Sequence, residues 1–241
     1  MENGPVLHIG AIRVPPGEEE RYRRWIDEVH YPLFIKQASI TEIDVYRIVS
    51  LKVGYPERIS LRHHRDIAAW EEWNKSPLMA DIYKDREAMW HVENLWQGLF
   101  QLTKGFLGGL PVSEDNLTTI VGNAVTISLL GFKISNERLD EFESWLNEWA
   151  FRAYIPILAK LPGIKAANFY NFTGRTSQKE IVDPDYPQSL AIFYFEDLKS
   201  YDNFEKSPEL AVFRKAIKSD FPSGVNIRWN VQYQLVKSFR K

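Results

Sequence analysis

Gln101-Leu102-Thr103-Lys104-Gly105-Phe106 and Gln234-Leu235-Val236-Lys237-Ser238-Phe239 are one hexapeptide pattern written twice in a chain of 241 residues. Working outward, the same pairing recurs in order. Ile12-Arg13-Val14 matches Phe132-Lys133-Ile134, and Trp25, Pro32, Lys36 and Tyr46 match Trp149, Pro156, Lys160 and Tyr170. Tyr55-Pro56 matches Tyr186-Pro187, and Lys75-Ser76-Pro77 matches Lys206-Ser207-Pro208. The offset only grows, from 120 at Arg13/Lys133 to 124 at Tyr46/Tyr170, 131 at Lys75/Lys206 and 133 at Phe106/Phe239. The chain is therefore read as a duplication with short insertions in its second copy. What both copies share reports the scaffold, and what one copy alone carries is the place to look for chemistry. All five histidines, His8, His30, His63, His64 and His91, lie in the first copy.

Each copy reads strand, helix, strand, strand, helix, strand. Leu7 to Val14 is an apolar, β-branched run stopped by Pro15-Pro16-Gly17. Glu18-Glu19-Glu20 then opens a helix, acidic groups being favoured by the backbone dipole in a first turn. Tyr22, Trp25, Ile26, Val29 and Leu33 form its apolar stripe, as Leu139, Phe142, Leu146, Trp149 and Ala153 do in the second copy. Pro32 and Pro156 should kink or end these helices. The second strands are Ile43 to Leu51 and Ile164 to Phe172, and the third are Ile59 to His64 and Leu190 to Phe195. Asp66 and Asp197 are placed to cap the second helices, and Gly98 to Phe106 and Val231 to Phe239 close the copies. This order predicts an α+β fold of two ferredoxin-like βαββαβ repeats, residues 1–115 and 116–241. Each sheet would carry helices on one face and bury its bare face against the other copy, giving a pseudo-dimeric α+β barrel in one chain. The gain of four residues falls in the first helix, about one turn. The gain of seven falls in the loop-like stretch Thr173 to Asp185.

Composition narrows the function classes. A hydrophobic fraction of 44% with 26% charged residues is ordinary for a globular chain with a sizeable core. A formal charge of −2, with Lys and Arg dispersed, gives no long-range attraction to nucleic acid. With no cysteine, disulfides, thiolate nucleophiles and cysteine metal sites are excluded. No apolar run approaches a membrane span and Met1 to Pro5 is no secretory signal, so a cytoplasmic address is expected. Nucleotide-binding glycine loops, His-Glu-x-x-His and Gly-x-Ser-x-Gly are absent.

The chain resembles the dimeric α+β barrel superfamily in tandem form, most of all its EthD-like and related members. The resemblance rests on Trp25-Ile26-Asp27-Glu28-Val29-His30-Tyr31-Pro32, whose His-x-Pro becomes Tyr154-Ile155-Pro156 in the second copy. It implies a small-molecule enzyme or binding module. Members include cofactor-free monooxygenases, cyclases and isomerases as well as haem enzymes, and the fold does not choose among them.

The candidate catalytic residues are His63, His30 and His8, since an imidazole is suited to proton transfer near neutral pH. Arg62-His63-His64 occupies third-strand positions where the second copy has Phe193-Tyr194-Phe195. Neighbours on a strand point to opposite faces, so His63 and His64 part company, and their adjacency is poor metal spacing. His8 matches Ser128, and in the expected strand order 4-1-3-2 it lies beside the third strand, able to share a pocket with one of the pair. His30 could instead cap its helix electrostatically. Arg62, His64, Tyr46 and Trp25 are the candidate ligand-binding residues; Tyr46 recurs as Tyr170, which also suits packing. No metal site is assigned. The expectation is acid-base chemistry without a cofactor on a small hydrophobic or aromatic, polyketide-like compound. A non-catalytic binding module is the alternative, and haem held by His63 or His91 a further one. A monomer or a homodimer is allowed.

Overall fold

The computed structural model describes residues 4–90, 92–112, 124–176 and 186–241. The 115/116 boundary, much of the loop at 173–185 and His91 lie outside them. Among the described residues no helix is long and apolar enough to cross a membrane. The chain divides into two compact units.

The first unit comprises Met1–Gln101, Thr173–Pro184 and Leu235–Lys241. Its strands are β1 (Val6–Arg13), β2 (Ile40–Ile48), β3 (Arg58–His64), the beginning of β4 (Glu93–Leu107) and the end of β9 (Val225–Arg240), hydrogen-bonded in the order β4-β1-β3-β2-β9. The β1–β3 and β2–β3 pairs are antiparallel, with His8 opposite Arg62, Leu7 opposite His63, Ile43 opposite Arg62 and Glu42 opposite His63. Alternation therefore sorts the sheet into two faces. One carries Val6, His8, Gly10, Ile43, Val45, Ser60, Arg62 and His64, and the other Leu7, Glu42, Asp44, Tyr46, Leu61 and His63.

The helices pack on the first of these faces. They are α1 (Glu19–Trp25), a π-helical turn over Ile26–His30, α2 (Tyr31–Phe34), α3 (Ile67–Asn74) and α4 (Pro77–Met89). Glu19 and Glu20 occupy the first turn of α1 and Arg23 and Arg24 its last, both matching the helix dipole. The expected Pro32 kink takes the form of the π turn. Proline supplies no amide and its ring crowds the carbonyl four residues back, and widening the preceding turn relieves both. Asp66 caps α3 by accepting from the Ala69 amide at 2.7 Å, and Ser76 caps α4. Val6, Ile43, Val45, Trp70, Trp73 and Leu99 form the centre of this apolar layer.

The second unit comprises Leu102–Phe172 and Asp185–Gln234. It takes the end of β4, β5 (Leu110–Pro111), β6 (Thr126–Ile134), β7 (Ile164–Phe172), β8 (Ser189–Phe195) and the beginning of β9, in the order β9-β6-β8-β7-β4-β5. Its helices are α5 (Leu139–Trp145), a π segment over Leu146–Tyr154, α6 (Ile155–Leu158), α7 (Leu198–Glu205) and α8 (Pro208–Asp220). The π segment has nine residues where the first unit has five. The four extra residues inferred from the offset are therefore absorbed as helix. Phe132, Phe142, Phe169, Phe193, Phe195 and Phe204 dominate the core of this unit.

Candidate functional site

In the first unit a cavity of about 50 Å³ lies between the helix-bearing face of the sheet and the first helix. The strands contribute Gly10, Ser60, Arg62 and Gln97, and the helices contribute Tyr22, Ile26, His30, Tyr31, Phe34, Met79, Ile82 and Arg86. A second cavity of about 340 Å³, lined by Arg13, Arg23, Tyr55 and Arg58 among others, shares Ile12, Tyr22, Ile26 and Tyr31 with it. The smaller cavity, the chamber, and the larger, the vestibule, adjoin at those four side chains. The vestibule is within the range of about 300–1,000 Å³ that holds an organic ligand, and the chamber has room for one or two water-sized groups.

Arg62 dominates the chamber. Its Nη1 lies 3.3 Å from His8 Nδ1, and its guanidinium carbon sits 5.6 Å from the Phe34 ring centre and 5.8 Å from that of Trp73. Its buried Nε has no hydrogen-bond partner, and it forms no ion pair among the described residues. The vestibule arginines are different: Arg23 meets Glu57 at 2.7 Å, Arg58 meets Asp27 at 2.5 Å and Arg13 meets Glu93 at 2.5 Å. A cation held among aromatic rings with no counter-charge is costly, and an anion or developing oxyanion in the chamber would offset that cost. Gly10 makes the arrangement possible, because a Cβ there would come within 2.6 Å of Arg62 Nη2 and 3.0 Å of Ser60 Oγ.

His30 ends the π turn, 4% exposed, with its ring centre 3.7 Å from that of Trp25. Burial, then the charges of Arg62 and Arg86, lower its pKa to about 4. At neutral pH it is an uncharged imidazole able to accept a proton, and an anion on Arg62 would weaken the second of those causes.

The remaining sequence candidates separate from this pair. His8 is fully buried and does not line the chamber; it backs Arg62, its pKa held well below 6.5 by burial and by Arg62. His64 lies on the same face, its ring 6.4 Å from His8 and 5.3 Å from Trp73, with burial lowering its pKa to about 3. Both are enclosed. His63 and Tyr46 are on the opposite face and line neither cavity. Trp25 supports His30 from behind. Gln97, Ser60, Tyr22, Arg86 and Gly10 join the chamber without having been singled out from sequence. Gly10 carried a local signal, as a glycine inside a mainly apolar strand.

The second unit carries other residues at the matching positions. At the offsets read from the sequence, Leu130 and Phe193 stand where Gly10 and Arg62 do, and both pack in the apolar core. Tyr154 replaces His30 and packs on Trp149 at 4.3 Å as His30 packs on Trp25. Of the two histidines the sequence offers for haem, His63 lines neither cavity, its Nε2 lying 3.8 Å from Asp44 Oδ2, and His91 lies outside the described residues.

No known family pattern and no curated protein matches the chain. Solved structures do. A protein from Fusobacterium nucleatum described as a candidate monooxygenase superposes with a TM-score of 0.61 at 11% identity, covering 100% of this chain and 96% of its own. An anthrone oxidase-like protein gives 0.62 at 11% identity, covering 98% and 92%. A variant of the chlorite dismutase from Candidatus Nitrospira defluvii gives 0.54 at 14%, covering 98% and 93%. At such identities the likeness speaks for the fold alone: the chain shares the fold of the dimeric α+β barrel proteins.

Proposed function

We propose that the chain is a small-molecule enzyme built from two ferredoxin-like repeats, in which the first repeat carries the site and the second the supporting scaffold. Its substrate is a flat, enolisable compound whose apolar body occupies the vestibule and whose carbonyl oxygen reaches Arg62. Neutral His30 removes a proton from the carbon next to that carbonyl, and Arg62 stabilises the enolate that results. That step is common to cofactor-independent cyclisation, isomerisation and oxygenation, the chemistry classes the sequence points to. The observation that carries the reading is the unpaired Arg62 guanidinium facing a chamber that contains an uncharged imidazole. The structural likeness to an anthrone oxidase-like protein is consistent with it.

Anthrone is the natural probe, because its enolate absorbs at longer wavelength than the ketone. On titration with the protein at neutral pH, the enolate band is expected to grow. Arg62→Ala should abolish the band, and His30→Ala should slow its appearance by roughly 10²–10⁴-fold, the usual contribution of a positioned base. Binding of anthrone without ionisation would favour a non-catalytic binding module. Equal ionisation by wild type and both variants would refute the assignment of these residues.

A further inference from the structure

On the opposite face of the same sheet, Glu42, Asp44 and His63 converge, one ligand atom from each lying within 4.8 Å of the others. His63 is 0% and Asp44 1% exposed, and Glu42 is half-buried. Neither ring nitrogen of His63 and neither oxygen of Asp44 has a hydrogen-bond partner of good geometry. Four buried polar atoms without a hydrogen bond of good geometry forfeit much of their hydration, and the 3.8 Å approach of His63 Nε2 to Asp44 Oδ2 offsets only part of it.

The second unit supplies the control. At the offsets of the duplication, Asn168 stands for Asp44, Tyr194 for His63 and Ala166 for Glu42. There the groups satisfy one another: Asn168 Nδ2 donates to the Tyr170 hydroxyl at 3.2 Å, and the Tyr170 and Tyr194 hydroxyls lie 3.4 Å apart. The first unit has exchanged a closed polar set for three groups that share only the capacity to ligate a cation.

We propose that Glu42, Asp44 and His63 bind a divalent first-row transition ion of the zinc class. One imidazole and two carboxylates are a donor set suited to such an ion, with water able to fill a fourth position. Ligand distances of about 2.0–2.2 Å place neighbouring donors about 3.3–3.6 Å apart in a tetrahedron. The 3.8 Å between His63 Nε2 and Asp44 Oδ2 is a few tenths of an ångström wider, within the reach of small side-chain rotations. Both hydrogen bonds to Glu42, from Arg240 Nε and from the Ser238 hydroxyl, fall on Oε1. Oε2 is left for the ion, and Arg240 competes with it electrostatically.

The test is calorimetric titration of the full chain, stripped with chelator, with zinc chloride, and with cobalt chloride read by its visible absorption. One equivalent of zinc is expected, with tetrahedral cobalt absorption and a zinc-dependent rise in Tm. Asp44→Asn, His63→Gln and Glu42→Gln should each weaken binding by roughly tenfold or more, at least the loss that removal of an outer partner causes. Arg240→Ala, at an exposed position, should tighten it. Because the buried variants could unfold, circular dichroism accompanies them, and the half-buried Glu42 and exposed Arg240 variants decide the matter if they do. Absence of zinc binding at millimolar concentration, unchanged affinity in Glu42→Gln, or weaker binding in Arg240→Ala would overturn the proposal.

Discussion

At the scale of single residues, burial fixes His30 in its uncharged form, and this has a measurable sign. Its pKa is about 4 in the folded chain against about 6.5 unfolded, so between those values the unfolded state binds more protons. The stability associated with neutral His30 is therefore fully present above pH 6.5 and is lost as pH falls toward 4, at about 1.4 kcal/mol per pH unit. Buried His8, His63 and His64 act in the same direction, whereas Asp44, whose pKa is raised, opposes them as one group against several. His30→Tyr, the residue at the matching position of the second copy, isolates one contribution. Urea denaturation at pH 6.5 and pH 5 should show the variant losing about 2 kcal/mol less than wild type over that interval. An equal loss in both would mean that His30 is not held neutral by burial. The sequence marked this residue through its His-Tyr-Pro context and marked Arg62 through its place in an apolar strand. It could not show that the two line one cavity while His63 turns away, because one residue of register moves a side chain to the other face.

Secondary-structure elements were the most legible level, because their signals are local. Proline turns, acidic first turns, apolar stripes and Asp caps each act within a few residues, and the elements formed where those signals lie. The caps give a prediction that owes nothing to function. Asp66 and Asp197 each accept an amide hydrogen bond at 2.7 Å from the residue three positions on, satisfying a donor that the first helical turn leaves open. Asp66→Ala and Asp197→Ala should each destabilise by about 1 kcal/mol, read as a lower urea midpoint with unchanged m-value, with Asn restoring most of the loss. The π turns were not legible. A period of 3.6 residues describes both first helices well, and only the combination of a downstream proline and the packing of Trp25 on His30 selects the wider turn. The strand ends were also longer in the structure than in the sequence reading. β4 begins at Glu93 and β9 at Val225, through polar residues whose pairing depends on distant strands.

At the scale of the whole molecule, one chain holds two solutions to the same packing problem, and the second predicts how to erase the site in the first. Leu130 and Phe193 fill with apolar volume the positions that Gly10 and Arg62 leave to a cavity and a charge. The pair must change together. Phenylalanine in place of Arg62 alone would remove the cation but leave the gap that Gly10 opens, and leucine in place of Gly10 alone would drive Cβ into the guanidinium at 2.6 Å. Gly10→Leu combined with Arg62→Phe replaces a half-buried cation that has no ion-pair partner among the described residues by packed hydrocarbon, an exchange that is often neutral or stabilising. The double variant should therefore melt at or above the wild-type temperature while losing all ionisation of anthrone. Each single variant should melt lower than the double one, a coupling expected of residues in contact. Retained ionisation in a well-folded double variant would move the chemistry out of the chamber. A large fall in its Tm would mean that the polar chamber supports the fold and is not a cost borne for function.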